Sequence, residues 1–382
     1  MQKLGIVLGI ASVVFTSACT GGGDTGLTGG TITGPTGSGS GTSGPGGSGS
    51  GGDGGTGGDG GMGQGGAGGS GQGGAGAGGG TPMPVFDPNK DGPFTIAEMD
   101  DKQWKASTGD TVPMHAAYPT EGPSSGPYPV VVVAHGFQIA ASQYYGYLKR
   151  LASFGYVAVT PDYPTSFLGN DNTKATQNII SALDWVESKP SLQGDTKLAG
   201  ATGHSLGGKL AIYAAKLDDR FQASIVLDPV DGAPSNPIDP NPMCTAPACI
   251  DVSEQLPIDK PTGFLGETLD GMSGGFQPAC APAAENFITF YAETTSPSVA
   301  VTINGANHVG FVDNTQTCGV ACSACKMPTL DNATVNALSR AYVTAFYERY
   351  LRGNKGYDTY LTGAEAQARY VDTGIASIQS KP

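Results

Sequence analysis

The stretch from Gly200 to Gly208, reading GATGHSLGG, constrains this chain most, because it asks a buried strand to turn through one serine straight into a helix. Gly203 and Gly207 lack the Cβ atoms that would collide where the two backbones approach, so Ser205 stands at the tip of the turn. A pattern this short recurs by chance, and its flanks carry the weight. Lys197 to Thr202 reads as a short strand, while Leu210, Ala211, Ala214 and Leu217 repeat at helical spacing.

The rest of the chain supplies a frame for such a turn. Val130 to Ala134 is an unbroken run of the kind buried on both faces of a sheet, and it ends at His135-Gly136-Phe137. Two short strands are expected between Gln103 and Tyr118. Helices are expected over 143–154 and 173–188, with a strand over 157–160 between them. After the serine turn come strands at 223–227, ending on Asp228, at 263–265, and at 299–303, leading to His308. A helix is expected over 282–293, and Asp331 is a good N-cap for a closing helix that runs to Leu351. Alternating strands and helices imply a mostly parallel sheet covered on both faces, whose ligands bind beyond the carboxyl ends of the strands. Phe137, Ser205, Asp228 and His308 all lie just past strand ends.

Composition divides the chain before that frame begins. More than half of its 62 glycines fall between positions 21 and 80, where no core can form. Residues 20–82 are therefore expected to be a flexible linker, and 83–382 one catalytic domain. Residues 1–19 have a short basic start, an apolar run from Leu4 to Phe15 and the ending Thr16-Ser17-Ala18-Cys19. This resembles a bacterial lipoprotein signal, although Thr16 stands where that family usually has an aliphatic residue. The resemblance implies lipidation of Cys19 and an anchor in the bacterial cell envelope at the outer membrane, or secretion if Cys19 stays unmodified.

Export bears on the other cysteines: Cys244, Cys249, Cys280, Cys318, Cys322 and Cys325. An even number in an oxidising compartment points to disulfides, with the pairing open, rather than to zinc at Cys318-x3-Cys322-x2-Cys325. Asp87-x-Asn89-x-Asp91-Gly92-x5-Glu98 has the spacing of a calcium loop, but Pro88 and Pro93 within it favour an ordinary lead-in turn. The net charge of −13 and the absence of a basic run exclude the electrostatic footprint of a nucleic-acid binder.

A serine hydroxyl needs a base, a carboxylate to orient that base, and donors for the oxyanion. Only four histidines are present. His115 lies in an early strand, His135 supports a loop, and the side chain of His204 points away as the turn closes, which leaves His308. The acid is Asp228, whose turn Pro229 fixes, or Asp270, which follows the next strand in a glycine-rich loop without an obvious anchor. Asp231 is read as structural. Backbone amides of Leu206 and Phe137 are the expected oxyanion donors.

The segments Gly-His-Ser-Leu-Gly-Gly-Lys and Leu-Asp-Pro-Val-Asp-Gly between Gly203 and Gly232 resemble the chlorophyllase family of α/β-hydrolases. Cys280-Ala281-Pro282, the Asn307-His308 loop through Asp313 and the cysteine-containing loop after it extend the resemblance over most of 110–370. It implies an α/β-hydrolase fold and assigns the acid to Asp228, as does a similar interval in platelet-activating-factor acetylhydrolases. Plant chlorophyllases carry arginine after the nucleophile, where this chain has Leu206, so chlorophyll is not inferred. Bacterial polyester hydrolases and cutinases share the His-Gly-Phe and Gly-His-Ser elements, which widens the expectation to carboxylic esters in general. Phe137, Gln138 and Leu206 would border the acyl site.

The expectation is a serine esterase acting through an acyl-enzyme, with no cofactor, no metal and a monomeric state. The same triad serves acyltransferases and peptidases, and a non-catalytic binding protein on this fold is the remaining alternative.

Overall fold

Along β3 (Tyr128–Ala134) every side chain is buried, and Val130 and Val132 enter one apolar cluster while Val131 and Val133 enter another. That alternation makes β3 a central strand with helices on both faces. The computed structural model describes residues 84–166, 170–232, 250–274, 279–295 and 297–382. The expected signal and linker, with Cys19, Cys244 and Cys249, lie outside those residues.

Nine strands form one sheet in the order β1-β2-β4-β3-β5-β6-β7-β8-β9. The interior strands run parallel: β4 (Val157–Pro161), β3, β5 (Gly194–Gly203), β6 (Phe221–Leu227), β7 (Thr262–Glu267) and β8 (Ser298–Ile303). Antiparallel strands close both edges: β1 (Thr95–Asp101) and β2 (Met114–Glu121) at one, β9 (Ala376–Lys381) at the other. On one face lie α2 (Asn172–Glu187), α3 (Leu206–Leu217) and α4 (Phe287–Glu293). Helix α1 (Tyr145–Ser153) covers the other, together with α6 (Asn332–Tyr350), which follows a single turn, α5 (Val320–Ser323). This is the arrangement of an α/β-hydrolase.

Three expectations shift. The first strands are not both within 103–118: β1 lies earlier and β2 starts at Met114, because 103–113 is a turn with one bridge, Lys105 to Thr111, and Pro113 has no amide to extend a ladder. Only 287–293 of the expected 282–293 helix forms. It starts where the Asn286 side chain accepts the Ile288 amide, while Ala281 to Asn286 turn instead. Strand β9 gave no signal, since ASIQSK is polar and half-exposed as befits an edge.

The lead-in segment spends its carboxylates on separate partners. Asp87 accepts from the Asn89 amide and pairs with Arg369, Asp91 pairs with Arg150, and Glu98 lies in β1 beside Lys149. The calcium spacing thus builds a turn that docks on α1 and the C-terminal region. Cys280 bonds to Cys325 and Cys318 to Cys322, which divides the zinc-like triplet between two bridges.

Candidate active site

Ser205 follows β5 with φ 57° and ψ −124°, a strained backbone held from three sides. Its amide donates to Leu227 O at the end of β6 (3.0 Å), and its carbonyl accepts from the amides of Lys209 (3.1 Å) and Val230 (3.3 Å). A Cβ on Gly203 would lie 2.2 Å from Gly207 O, and one on Gly207 would lie 2.4 Å from the carbonyl oxygens of both Ala134 and His135. Glycine at these two positions lets α3 start directly against β3. Its first amide, that of Leu206, has no acceptor within the helix and lies at the positive end of the helix dipole, close to the loop that carries Phe137.

The structure brings Ser205, His308 and Asp228 together. His308 Nε2 is 2.9 Å from Ser205 Oγ, and Nδ1 is 2.7 Å from Asp228 Oδ2. All three are buried. Asp228 is fixed by its own left-handed backbone, φ 41°, at the end of β6. Burial pulls the proton affinity of His308 down, but the Asp228 hydrogen bond and charge, with Glu267 and Asp270 behind, outweigh it and leave it raised. Burial pushes the Asp228 carboxyl up, and His308 pulls it back.

Asp270 does another job. Its Oδ2 accepts the His308 main-chain amide (2.9 Å) and its Oδ1 accepts the Lys326 amide (3.0 Å), so the residue without an obvious anchor in the sequence is itself the anchor of the histidine loop. Glu267, at the end of β7, accepts the amides of Leu269 and Asp270 and so holds Asp270 in place. Burial, with Asp228 and Asp270 nearby, pushes the Glu267 carboxyl up to about 8. The Cys280–Cys325 bridge joins the same two loops.

His204 turns away from Ser205, as expected, into a chain of hydrogen bonds whose direction is fixed at both ends. The Gly136 amide can only donate, and does so to Tyr144 Oη (3.1 Å); Tyr144 then donates to His204 Nδ1 (2.7 Å). Nε2–H of His204 is left to donate to the His308 carbonyl (2.8 Å). Burial, with His308 adjacent, lowers the proton affinity of His204 well below the ordinary value, which keeps it in the neutral form this chain needs. Sequence reasoning missed this role; the only available signal was a histidine flanking the serine.

A buried ion pair fastens the loop after Asp228 to α3. Lys209 Nζ sits 3.2 Å from Asp231 Oδ1, and Asp231 also accepts the amides of Val252 (2.9 Å) and Ser253 (2.7 Å), a structural role as its position suggested. His135 packs on Tyr163, its ring nitrogens 2.9 and 3.0 Å from the carbonyls of Gly136 and Tyr163. His115 stacks on Tyr145 between Asp100 and Glu98, at the β1/β2 edge of the sheet. Gln138 has φ 54°, and its amide nitrogen donates to Thr165 O (2.6 Å) and Oγ1 (3.0 Å), so it ties the loop after β3 to the segment after β4.

Comparisons with known proteins agree with this geometry. A family model described as Chlorophyllase matches residues 85–368. Chlorophyllase-1 of Arabidopsis thaliana is 27% identical over 266 residues, covering 65% of this chain and 79% of that protein. Chlorophyllase type 0 of Chenopodium album is 24% identical over 251 residues, 60% of this chain and 69% of its own. Bis(hydroxyethyl) terephthalate hydrolase of Streptomyces coelicolor is 37% identical over a shorter stretch of 114 residues, 29% of this chain and 36% of its own.

Proposed function

The chain belongs to the chlorophyllase family of α/β-hydrolases, and on that premise we propose that it is a carboxylic-ester hydrolase acting through an acyl-enzyme on Ser205. The observation that carries this reading is the His308 ring, within hydrogen-bond distance of Ser205 Oγ on one side and Asp228 Oδ2 on the other.

In this reaction Ser205 Oγ attacks the ester carbonyl as its proton passes to His308 Nε2. Asp228 orients the ring and stabilises the imidazolium. The amides of Leu206 and Phe137 bind the oxyanion. Collapse of the tetrahedral intermediate expels the alcohol with the proton from His308, and water, activated by the same ring, releases the acid. The relatives named for chlorophyll and for a bis(hydroxyethyl) ester support ester hydrolysis as the class. Leu206, after the nucleophile, favours an ester other than chlorophyll.

The test is Ser205→Ala against the parent enzyme, with p-nitrophenyl butyrate as substrate and a fluorophosphonate as covalent probe. Loss of both hydrolysis and labelling is expected; retained hydrolysis in the variant removes the reading. We further propose that the protein is exported and anchored through lipidated Cys19, with residues 20–82 as a tether to the catalytic domain, as the N-terminal sequence suggests. Metabolic labelling with a palmitate analogue, lost in Cys19→Ala, is the expected result.

A further inference from the structure

An open cavity of about 390 Å³ lies along the carboxyl ends of β3 and β4. One wall is the loop Gln138 to Ala140, directly after Phe137, and the other is Asp162 to Thr165. In the sheet order β4-β3-β5-β6-β7-β8, this places it on the flank of Ser205 opposite to Asp228 and His308. The cavity adjoins the site through Gln138, the residue after Phe137, and its lining includes neither Ser205 nor His308.

The hydrogen-bond inventory of the walls gives that arm its chemistry. The basic and amide donors nearby are already engaged: Lys174 Nζ is 2.7 Å from Asp110 Oδ1, Asn178 Nδ2 donates to Asp110 Oδ2 (2.9 Å), and the Gln138 amide nitrogen is held by Thr165. Acceptors remain. Gln138 Oε1 has no partner among the described residues. The Asp162 carboxylate, 55% exposed, pairs with no lysine or arginine among them; its basic neighbour is the His135 ring at 3.7 Å. The two ring nitrogens face the carbonyl oxygens of Gly136 and Tyr163, so the ring makes no hydrogen bond to Asp162. An alkyl arm would cover the carboxylate without replacing its water, whereas an arm with a donor would gain a charge-assisted hydrogen bond.

We infer that this cavity is the subsite for one arm of the ester, and that the arm carries a hydrogen-bond donor, a hydroxyl or an ammonium group, in place of a plain alkyl chain. The inference rests on ester hydrolysis at Ser205.

The experiment compares kcat/KM for 2-hydroxyethyl butyrate, 2-(dimethylamino)ethyl butyrate, whose protonated amine carries one N–H, and n-butyl butyrate in the parent enzyme, Asp162→Asn and Asp162→Leu. At least one donor-bearing ester is expected to exceed n-butyl butyrate by about tenfold, the usual worth of a hydrogen bond to a charged group. In Asp162→Leu the ratio falls towards one. Asp162→Asn separates the two donors, since it keeps an acceptor oxygen for a hydroxyl and loses the charge an ammonium needs. A ratio of one or less in the parent, or a ratio that Asp162→Leu leaves unchanged, overturns the subsite. If Ser205 takes no fluorophosphonate label and none of the three esters is hydrolysed, the reading of the reaction fails as well. Labelling with hydrolysis confined to n-butyl butyrate, or with none, overturns the subsite alone.

Discussion

His204 donates its Nε2–H to the main-chain carbonyl of His308 across 2.8 Å, so the residue before Ser205 holds His308 by its backbone. The proton sits on Nε2 because Tyr144 occupies Nδ1 as a donor. Tyr144→Phe removes that donor and leaves the Gly136 amide unpaired. Each buried group left unsatisfied costs about 1–3 kcal/mol. Most of that cost should fall on kcat, a loss of about ten- to hundredfold, with KM little changed. A wild-type kcat in Tyr144→Phe would show that the network only fills space.

Two carboxylates face the base, one on its ring and one on its backbone, and they should fail differently. Asp228→Asn should lower kcat on the order of 10⁴-fold, because the amide cannot stabilise the imidazolium or keep the right tautomer. Asp270→Asn offers one acceptor where two amides need one each, and should cost on the order of tenfold with a lower melting temperature. Equal losses in the two variants would undo this division of labour.

Ester hydrolysis needs His308 neutral. Its proton affinity is raised above the ordinary value of 6.5, so kcat/KM should climb with pH through a midpoint above 6.5. Glutamine at position 267 takes away a carboxylate that raises it and should leave the midpoint unmoved or shift it down. An upward shift in Glu267→Gln contradicts the sign.

The same Glu267 links stability to pH. Its carboxyl is raised from 4.5 to about 8, so between those values the folded protein keeps a proton the unfolded chain has released. Its favourable contribution is complete below 4.5 and lost as pH climbs to about 8. Urea midpoints of the parent should fall over that window, and those of Glu267→Gln should fall less, a difference on the order of a few kcal/mol by pH 9. Parallel curves for the two proteins would place the pH dependence elsewhere.

The Cys280–Cys325 bridge spans 45 residues and joins the Asp270 loop to the loop after His308. Loop-closure entropy for that span amounts to about 4 kcal/mol. Cys280→Ala with Cys325→Ala should lower the unfolding free energy by roughly 2–4 kcal/mol. Because Lys326, next to Cys325, binds Asp270, kcat should drop too. Stability lost at full kcat would make the bridge a staple without a bearing on the site.

Much of the site was legible in the sequence because chain order does the work in a parallel sheet. Ser205, Asp228 and His308 each end a strand, and the sheet order brings those ends together without long-range guesswork. The parts that stayed hidden depend on loops meeting loops. Asp270 reads as an alternative acid until the His308 amide arrives at its carboxylate, and the tie from the Gln138 side-chain nitrogen to Thr165 joins two loops that are far apart in sequence. Strand β9 escaped because an edge strand needs little apolar patterning, and the turn at 103–113 escaped because its residues have strand-like composition but end in a proline.

Strand β9 also imposes an order of assembly. It pairs with β8 from Ser298 to Ile303, and just past β8 the Asn304 amide and side chain donate to Ile375 and Gly374. A chain delivered from its N-terminus therefore has its elbow complete well before the strand that leads to the base is sealed. Nascent protein emerging from a ribosome is expected to hydrolyse esters only once β9 has come through, so the onset of activity can report the arrival of that strand.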